Sequence, residues 1–195
     1  MGEPMQMIKF LTVIGQLKRT KRTGWVVRNV DDPESVSDHM YRMAMMALVT
    51  TDKNVKKDHC IKLCLVHDLA ECIVGDIAPC HNVSKEEKHK MEEEAMEELC
   101  SMLGDSHVAK ELKDLFIEYE AQKTPEAVFV KDLDRFEMIL QAQNYEDDES
   151  NPGRLQEFFD GVQGKFKTDT VRNLADTLTS SRTKSKVSSE LSKKS

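Results

Sequence analysis

The stretch Cys60-Ile-Lys-Leu-Cys64-Leu-Val-His67-Asp68-Leu-Ala-Glu71-Cys72-Ile-Val-Gly75-Asp76 decides how the chain is read. Its apolar residues suit a buried helix, and Gly75 is placed to end it. At 3.6 residues per turn, His67, Asp68 and Glu71 share one face, because side chains three or four apart are neighbours. An imidazole and two carboxylates therefore meet in a segment otherwise made of Ile, Leu, Cys, Val and Ala, with Asp76 just beyond. Burying unpaired charge is costly, so the cluster requires cations or a wet pocket. Two readings stand: a helix end with a solvated acidic side and a satisfied core histidine, or a metal site. His39 upstream and Asp134 downstream are the candidates that decide between them.

Upstream, Met7, Ile8, Leu11, Ile14 and Leu17 recur at helical spacing, so residues 5–18 read as an amphipathic first helix. A basic, Gly-containing connection follows, Lys18-Arg-Thr-Lys-Arg-Thr-Gly24, leading into Trp25-Val-Val-Arg28. Cations crowd the only tryptophan there, so a phosphate clamp stands beside the plainer reading of a solvated loop. Pro33 blocks helix before it, and Ser35 or Ser37 can cap the next one. That second helix carries Val36, Met40, Met43, Met46 and Ala47 as an apolar stripe, with His39 beside it near the start. Alone, such a histidine is more often a core or capping residue than a ligand.

Downstream, Ser84-Lys-Glu-Glu87 matches a capping box and opens a charged helix to about Leu103, closed by Gly104. Its charges, His89 among them, read as a solvated face, with Met91, Ala95 and Leu99 turned inward. Val108, Leu112, Leu115, Phe116 and Tyr119 mark another helix, and Thr124-Pro125 starts a further one. There Asp134 lies on the inward face with Val130, Leu133, Met138 and Gln141. It is either half of an ion pair, with Arg135 or Lys131, or a metal ligand. A turn at Asn151-Pro152-Gly153 precedes a pair of short helices reaching roughly Leu178.

The sequence shows no strand alternation, no Gly-rich phosphate loop and no repeat, so the expected fold is all-α, a single-domain helical bundle. The expected organisation is an N-terminal segment 1–9, a helical domain 10–178 and a disordered basic, serine-rich tail 179–195. A chain of 195 residues, 39% hydrophobic and 32% charged, can bury a sizeable core. A net charge of −7 argues against a nucleic-acid polymer as partner. A small anionic substrate stays open, because a bound metal reverses the local potential. No apolar run approaches the roughly 20 residues of a membrane span, and the start lacks the features of a signal peptide. The odd set Cys60, Cys64, Cys72, Cys80 and Cys100 reads as reduced thiols without disulfides in an intracellular, cytoplasmic protein.

Taken together, His39, the His67-Asp68 pair and Asp134 resemble the H…HD…D arrangement of the HD superfamily of metal-dependent phosphohydrolases. The phrases Glu34-Ser-Val-Ser-Asp-His39, His67-Asp-Leu-Ala-Glu-Cys-Ile-Val-Gly-Asp-Ile-Ala-Pro79 and Phe129-Val-Lys-Asp-Leu-Asp-Arg-Phe-Glu-Met-Ile-Leu-Gln-Ala142 are similar to the HD-type 5′-deoxynucleotidases. The likeness runs from about Phe10 to Val171. It implies an HD-type bundle, a homodimer, and conversion of deoxyribonucleoside 5′-monophosphates to deoxyribonucleosides and phosphate. It also implies that His39, His67, Asp68 and Asp134 ligate a first divalent ion. Glu71 and Asp76 match residues that act on the nucleophilic water or hold a second ion, joined by the backbone carbonyl of Ile77. Arg22 and Trp25 correspond to an Arg-Trp pair that holds phosphate and sugar, although here Thr23 and Gly24 separate them.

The chemistry explains these residue types. Water is a poor nucleophile and a phosphomonoester dianion repels hydroxide; a divalent ion answers both problems. Two imidazoles and two carboxylates suit Mn²⁺, Co²⁺, Fe²⁺ or Zn²⁺, while an all-oxygen second set suits Mg²⁺ or Mn²⁺. Two other readings remain: a phosphodiesterase or nucleoside-triphosphate hydrolase of the same superfamily, and a nucleotide-binding protein without turnover. The full set of six side chains weighs against the last.

Overall fold

The computed structural model describes residues 3–192. Helix α1 spans Glu3–Ile14 and continues into a 3-10 turn at Gly15–Lys18. Then come α2 (Thr23–Val26), α3 (Val36–Val49), α4 (Lys57–Val66), α5 (Glu71–Val74) and α6 (Lys85–Met102). The chain closes with α7 (His107–Ala121), α8 (Pro125–Asp148), α9 (Gln156–Val162) and α10 (Asp169–Ser192). No strand occurs among the described residues, where β pairing is confined to an isolated Lys21–Ser35 bridge.

Local chemistry sets most of these boundaries. At α3, Ser35 Oγ accepts the Asp38 N–H while the Asp38 carboxylate accepts the Ser35 N–H, and Ser84 with Glu87 repeats this box at α6. Thr124 Oγ1 accepts the Ala127 N–H with Pro125 in the first turn of α8. Gly104 follows α6 at φ +65°, where a side chain would be strained. Around the long α8 pack α3, α4, α7, α9 and α10, and α3 lies along α4. Met43, Ala47, Leu63, Cys64, Phe129 and Leu133 are buried between them. Removing such large apolar side chains from water contributes about 1.5–3 kcal/mol each. All five cysteines are free thiols, and no helix among the described residues is long and apolar enough to cross a membrane.

Four local expectations differ from the structure. The 60–76 stretch is not one helix: α4 stops at Val66, and His67–Ala70 form a turn before α5. Its bonds are short-range, Leu69 N–H to Val66 C=O at 3.0 Å and Glu71 N–H to Asp68 C=O at 3.1 Å. At three residues per turn, positions i and i+3 eclipse, so Asp68 and Glu71 still project to one side.

The stripe of the first helix faces largely outward. Met7, Ile8 and Leu11 are each more than half exposed. Phe10 is buried instead, and with Val13 and Ile14 it joins the core. On α6, Met91 is exposed while Met96 takes the inward place beside Ala95 and Leu99.

Finally, α10 runs past Leu178 to Ser192, through much of the stretch read as a disordered tail; residues 193–195 lie outside the described residues. Apolar periodicity could not show this, because the tie is polar. Arg182 is buried and donates to both oxygens of buried Glu146, at 2.9 and 2.8 Å.

Candidate metal and substrate site

Four elements deliver the cluster. The capped first turn of α3 carries His39, the turn between α4 and α5 carries His67 and Asp68, the first residue of α5 is Glu71, and α8 carries Asp134. His39 Nε2 stands 3.4 Å from Asp134 Oδ1 and 3.8 Å from Asp68 Oδ2. His67 Nε2 is 3.2 Å from Asp68 Oδ2. One ligating atom from each of His39, His67 and Asp134 lies within 4.8 Å of the others.

Both imidazoles are oriented from behind. His67 Nδ1 is 2.9 Å from the Cys64 carbonyl, and His39 Nδ1 is 2.6 Å from Glu137 Oε2. A carbonyl and a carboxylate only accept, so each Nδ1 holds the hydrogen and each Nε2 turns toward the aspartates. Neither Nε2 has a hydrogen-bond partner, and neither does Glu71 Oε2, although all three are buried. Buried polar atoms are almost always partnered, so the two orphaned Nε2 atoms facing Asp68 and Asp134 define a place for a cation. The donor set therefore fits a divalent ion.

The charges agree. For His39, burial and Arg22 press downward, yet Glu137 and Asp134 outweigh both and push the imidazole up to about 9. Burial alone would raise Asp68, but His67, Arg22 and His39 hold it well below the usual carboxylate range. Asp134 is likewise held low against its burial, by Lys131 and the two histidines. Glu71 moves the other way: burial, Asp68 and Asp76 raise it well above an ordinary glutamate.

A cleft of about 710 Å³ opens over Asp68, Glu71, Asp76 and Asp134, and Arg22, Trp25 and Ile77 also line it. Every residue singled out in the sequence is thus gathered here, with the two histidines buried behind the lining. Arg22 Nη1 lies 3.3 Å from Asp68 Oδ2, whereas Lys18, Arg19 and Lys21 of the same basic run are exposed. Asp76 accepts the Thr23 N–H at 2.6 Å, and its carbonyl accepts from Thr23 Oγ1 at 2.6 Å. That clasp ties the loop bearing Arg22 to the end of α5. Trp25 is only 2% exposed, with its ring 4.4 Å from Phe158 and 5.4 Å from Tyr145 between centroids.

Asp134 forms the ion pair expected of it, with Lys131. Lys131 Nζ and Tyr119 Oη each donate to its Oδ2 at 2.9 Å, leaving Oδ1 toward His39. Arg135 pairs with Asp132 instead. Sequence reasoning missed Glu137, Arg42 and Lys88. Lys88 belongs to the face of α6 read as solvated, yet it lines the cleft. The available signal for Glu137 was its position one turn after Asp134, on the same side of α8.

A helical bundle with this His/Asp cluster is the architecture of an HD domain. The sequence profile of the HD domain family matches residues 14–174, and the chain belongs to that family. It is 58% identical over 176 residues to 5′-deoxynucleotidase HDDC2 of Bos taurus, covering 90% of this chain and 85% of that protein. It is 40% identical over 182 residues to 5′-deoxynucleotidase YGK1 of Saccharomyces cerevisiae, with 92% and 84% covered. The solved structure of HD domain-containing protein YGK1 matches with a TM-score of 0.73 at 33% identity, spanning 94% of this chain and 88% of that one.

Proposed function

We propose that this chain is a metal-dependent 5′-deoxynucleotidase that converts deoxyribonucleoside 5′-monophosphates to deoxyribonucleosides and phosphate. The observation that carries the reading is the pair of buried, unpartnered Nε2 atoms of His39 and His67 facing Asp68 and Asp134. The names of the curated relatives direct it to deoxynucleotide monoesters.

His39, His67, Asp68 and Asp134 would hold the first ion, for which Mn²⁺, Co²⁺, Fe²⁺ or Zn²⁺ is suited, with Mg²⁺ or Mn²⁺ suited to an all-oxygen second set. Glu71, Asp76 and the Ile77 carbonyl would hold a second. When bound, such an ion lowers the pKa of water and offsets charge on the phosphoryl oxygens. The chain's own residues do the remainder. Arg22 presents a guanidinium fork on the cleft wall, suited to two phosphoryl oxygens. The clasp between Asp76 and Thr23 holds that arginine in place. Glu71 can take a proton from the attacking water as a base and then give that same proton to the leaving 5′-oxygen as the P–O bond breaks; burial beside Asp68 and Asp76 strengthens its hold on the proton in between. Trp25 and Phe158 supply an apolar wall for the nucleoside.

The test is phosphate release from deoxy- and ribonucleoside mono-, di- and triphosphates with Mn²⁺, Co²⁺ and Mg²⁺ in turn. Release from deoxynucleoside monophosphates is the expected result. Hydrolysis confined to triphosphates would move the chain to another branch of the superfamily. Binding of metal and dNMP with no release under any ion would make it a nucleotide-binding protein. We also read the chain as a homodimer in the reducing cytoplasm. The outward Met7, Ile8 and Leu11 support the first point and five free thiols the second. Sedimentation at several concentrations tests the assembly.

A further inference from the structure

Two charged residues, one buried and one half-buried, stand behind the metal cluster and outside the cleft lining. Glu137 is fully buried on α8, one turn after Asp134, and is absent from the cleft lining. Arg42 lies one turn after His39 on α3. Helices α3 and α8 pack together, so each contributes one residue of the metal cluster and, three positions on, one member of a charged pair behind it. Arg42 donates from Nε to Glu137 Oε1 at 2.8 Å and again from a terminal guanidinium nitrogen. Glu137 Oε2 is left for His39 Nδ1 at 2.6 Å.

The pair is built to hold one tautomer. A fully buried carboxylate without compensation would take up a proton, and could then donate to His39 rather than accept. Arg42 cancels its charge and occupies Oε1, which keeps Oε2 an acceptor. His39 must then carry its hydrogen on Nδ1 and turn Nε2 to Asp134 and Asp68. His67 is oriented differently, by the uncharged carbonyl of Cys64. The two histidines are therefore unequal: one is backed by an ionised carboxylate and the other by a neutral dipole. An imidazole backed by a carboxylate is the stronger electron donor, and such outer partners commonly change metal affinity by about 10–100-fold.

We propose that Glu137, itself fixed by Arg42, is a positioning residue that orients His39 and strengthens its hold on the divalent ion. The alternative use of these atoms, a separate ion among Glu34, His39 and Glu137, is disfavoured because Arg42 and the Trp25 indole already donate to the two glutamates. The inference rests on the metal-site reading above. Its test is direct titration of metal-free protein with Co²⁺, followed by calorimetry and by cobalt absorption. Glu137→Gln keeps the size of the side chain but removes its charge, and the apparent Kd should rise about 10–100-fold. That variant leaves Arg42 beside a neutral group, so the double variant E137Q/R42Q, which removes both charges, guards against a simple loss of folding. It should melt near the wild type and still bind Co²⁺ weakly. Turnover at saturating metal should recover most of the wild-type kcat, because Glu137 touches no substrate. A folded double variant with wild-type Kd would overturn the proposal, as would weak turnover at saturating metal alongside an unchanged Kd. If the wild type itself takes up no Co²⁺, the metal-site reading fails instead.

Discussion

Trp25 donates its indole N–H to Glu34 Oε1 at 2.9 Å, so a ring that lines the cleft is held from outside it. Packed against Phe158 and Tyr145 and only 2% exposed, Trp25 is a core residue that also lines the cleft. Removing it entirely would cost about 3–5 kcal/mol, as for other buried aromatics. Trp25→Ala should therefore melt far below the wild type. Trp25→Phe is the more informative change, because it keeps an aromatic wall while thinning it. The ratio of kcat/KM for dAMP and AMP should shift toward AMP by up to about a hundredfold, the usual limit for an apolar pocket facing an added hydroxyl. An unchanged ratio would confine Trp25 to the core.

Variants at Asp68 and Glu71 should separate metal binding from turnover. Asp68 lies within reach of both Nε2 atoms and of Arg22. Asp68→Ala should abolish activity and most bound metal, measured by elemental analysis after gel filtration. Glu71→Gln keeps the shape but cannot exchange a proton, so kcat should fall by about 10²–10⁴ with most first-site metal retained. Equal loss of metal in both variants would make Glu71 an obligatory ligand of that first ion.

The sequence made helix starts readable because each depends on a few adjacent residues. Ser35, Ser84 and Thr124-Pro125 cap where expected, since a cap is settled within three residues. That His39, His67, Asp68 and Asp134 would be brought together was suggested by resemblance, and the structure clusters them. Glu137 was not foreseen, because a glutamate on a long helix looks like surface until its partner on another helix is known. Arg182 escaped for the same reason, and Met7, Ile8 and Leu11 show the converse. Their helical spacing marks an apolar face truly, but spacing cannot say whether the rest of the same chain covers it.

Arg182 supplies a test of the last helix. It bonds both Glu146 oxygens, gives Nη1 to Gln156 Oε1 at 2.7 Å and lies 3.9 Å over the Phe159 ring. Breaking one side of a buried pair costs about 3–5 kcal/mol. Arg182→Ala should lower Tm by about 6–20 °C for a chain of this size, while activity well below that temperature persists, since Arg182 does not line the cleft. An Arg182→Ala protein that melts like the wild type would show that α10 is held by other contacts.

The pH dependence of metal binding follows from His39. Its folded pKa stands at about 9, raised from 6.5 by Glu137 and Asp134 against burial and the Arg22 charge. A raised pKa means that the folded, metal-free protein binds this proton more tightly than the unfolded chain does. The stabilisation it gives is fully present below about pH 6.5 and is lost as pH climbs through 9. A metal ion at Nε2 has to displace that proton. Between those limits its apparent affinity should therefore grow about tenfold per pH unit, with roughly one proton released per ion. The metal-dependent rise in Tm should accordingly be small at pH 6.5 and larger at pH 8.5, at a fixed Mn²⁺ concentration. Calorimetry at pH 7.5 in buffers of differing ionisation enthalpy counts the protons directly. Binding with no proton release at that pH would mean that His39 is already neutral in the metal-free protein, and that the carboxylates around it do not govern its charge.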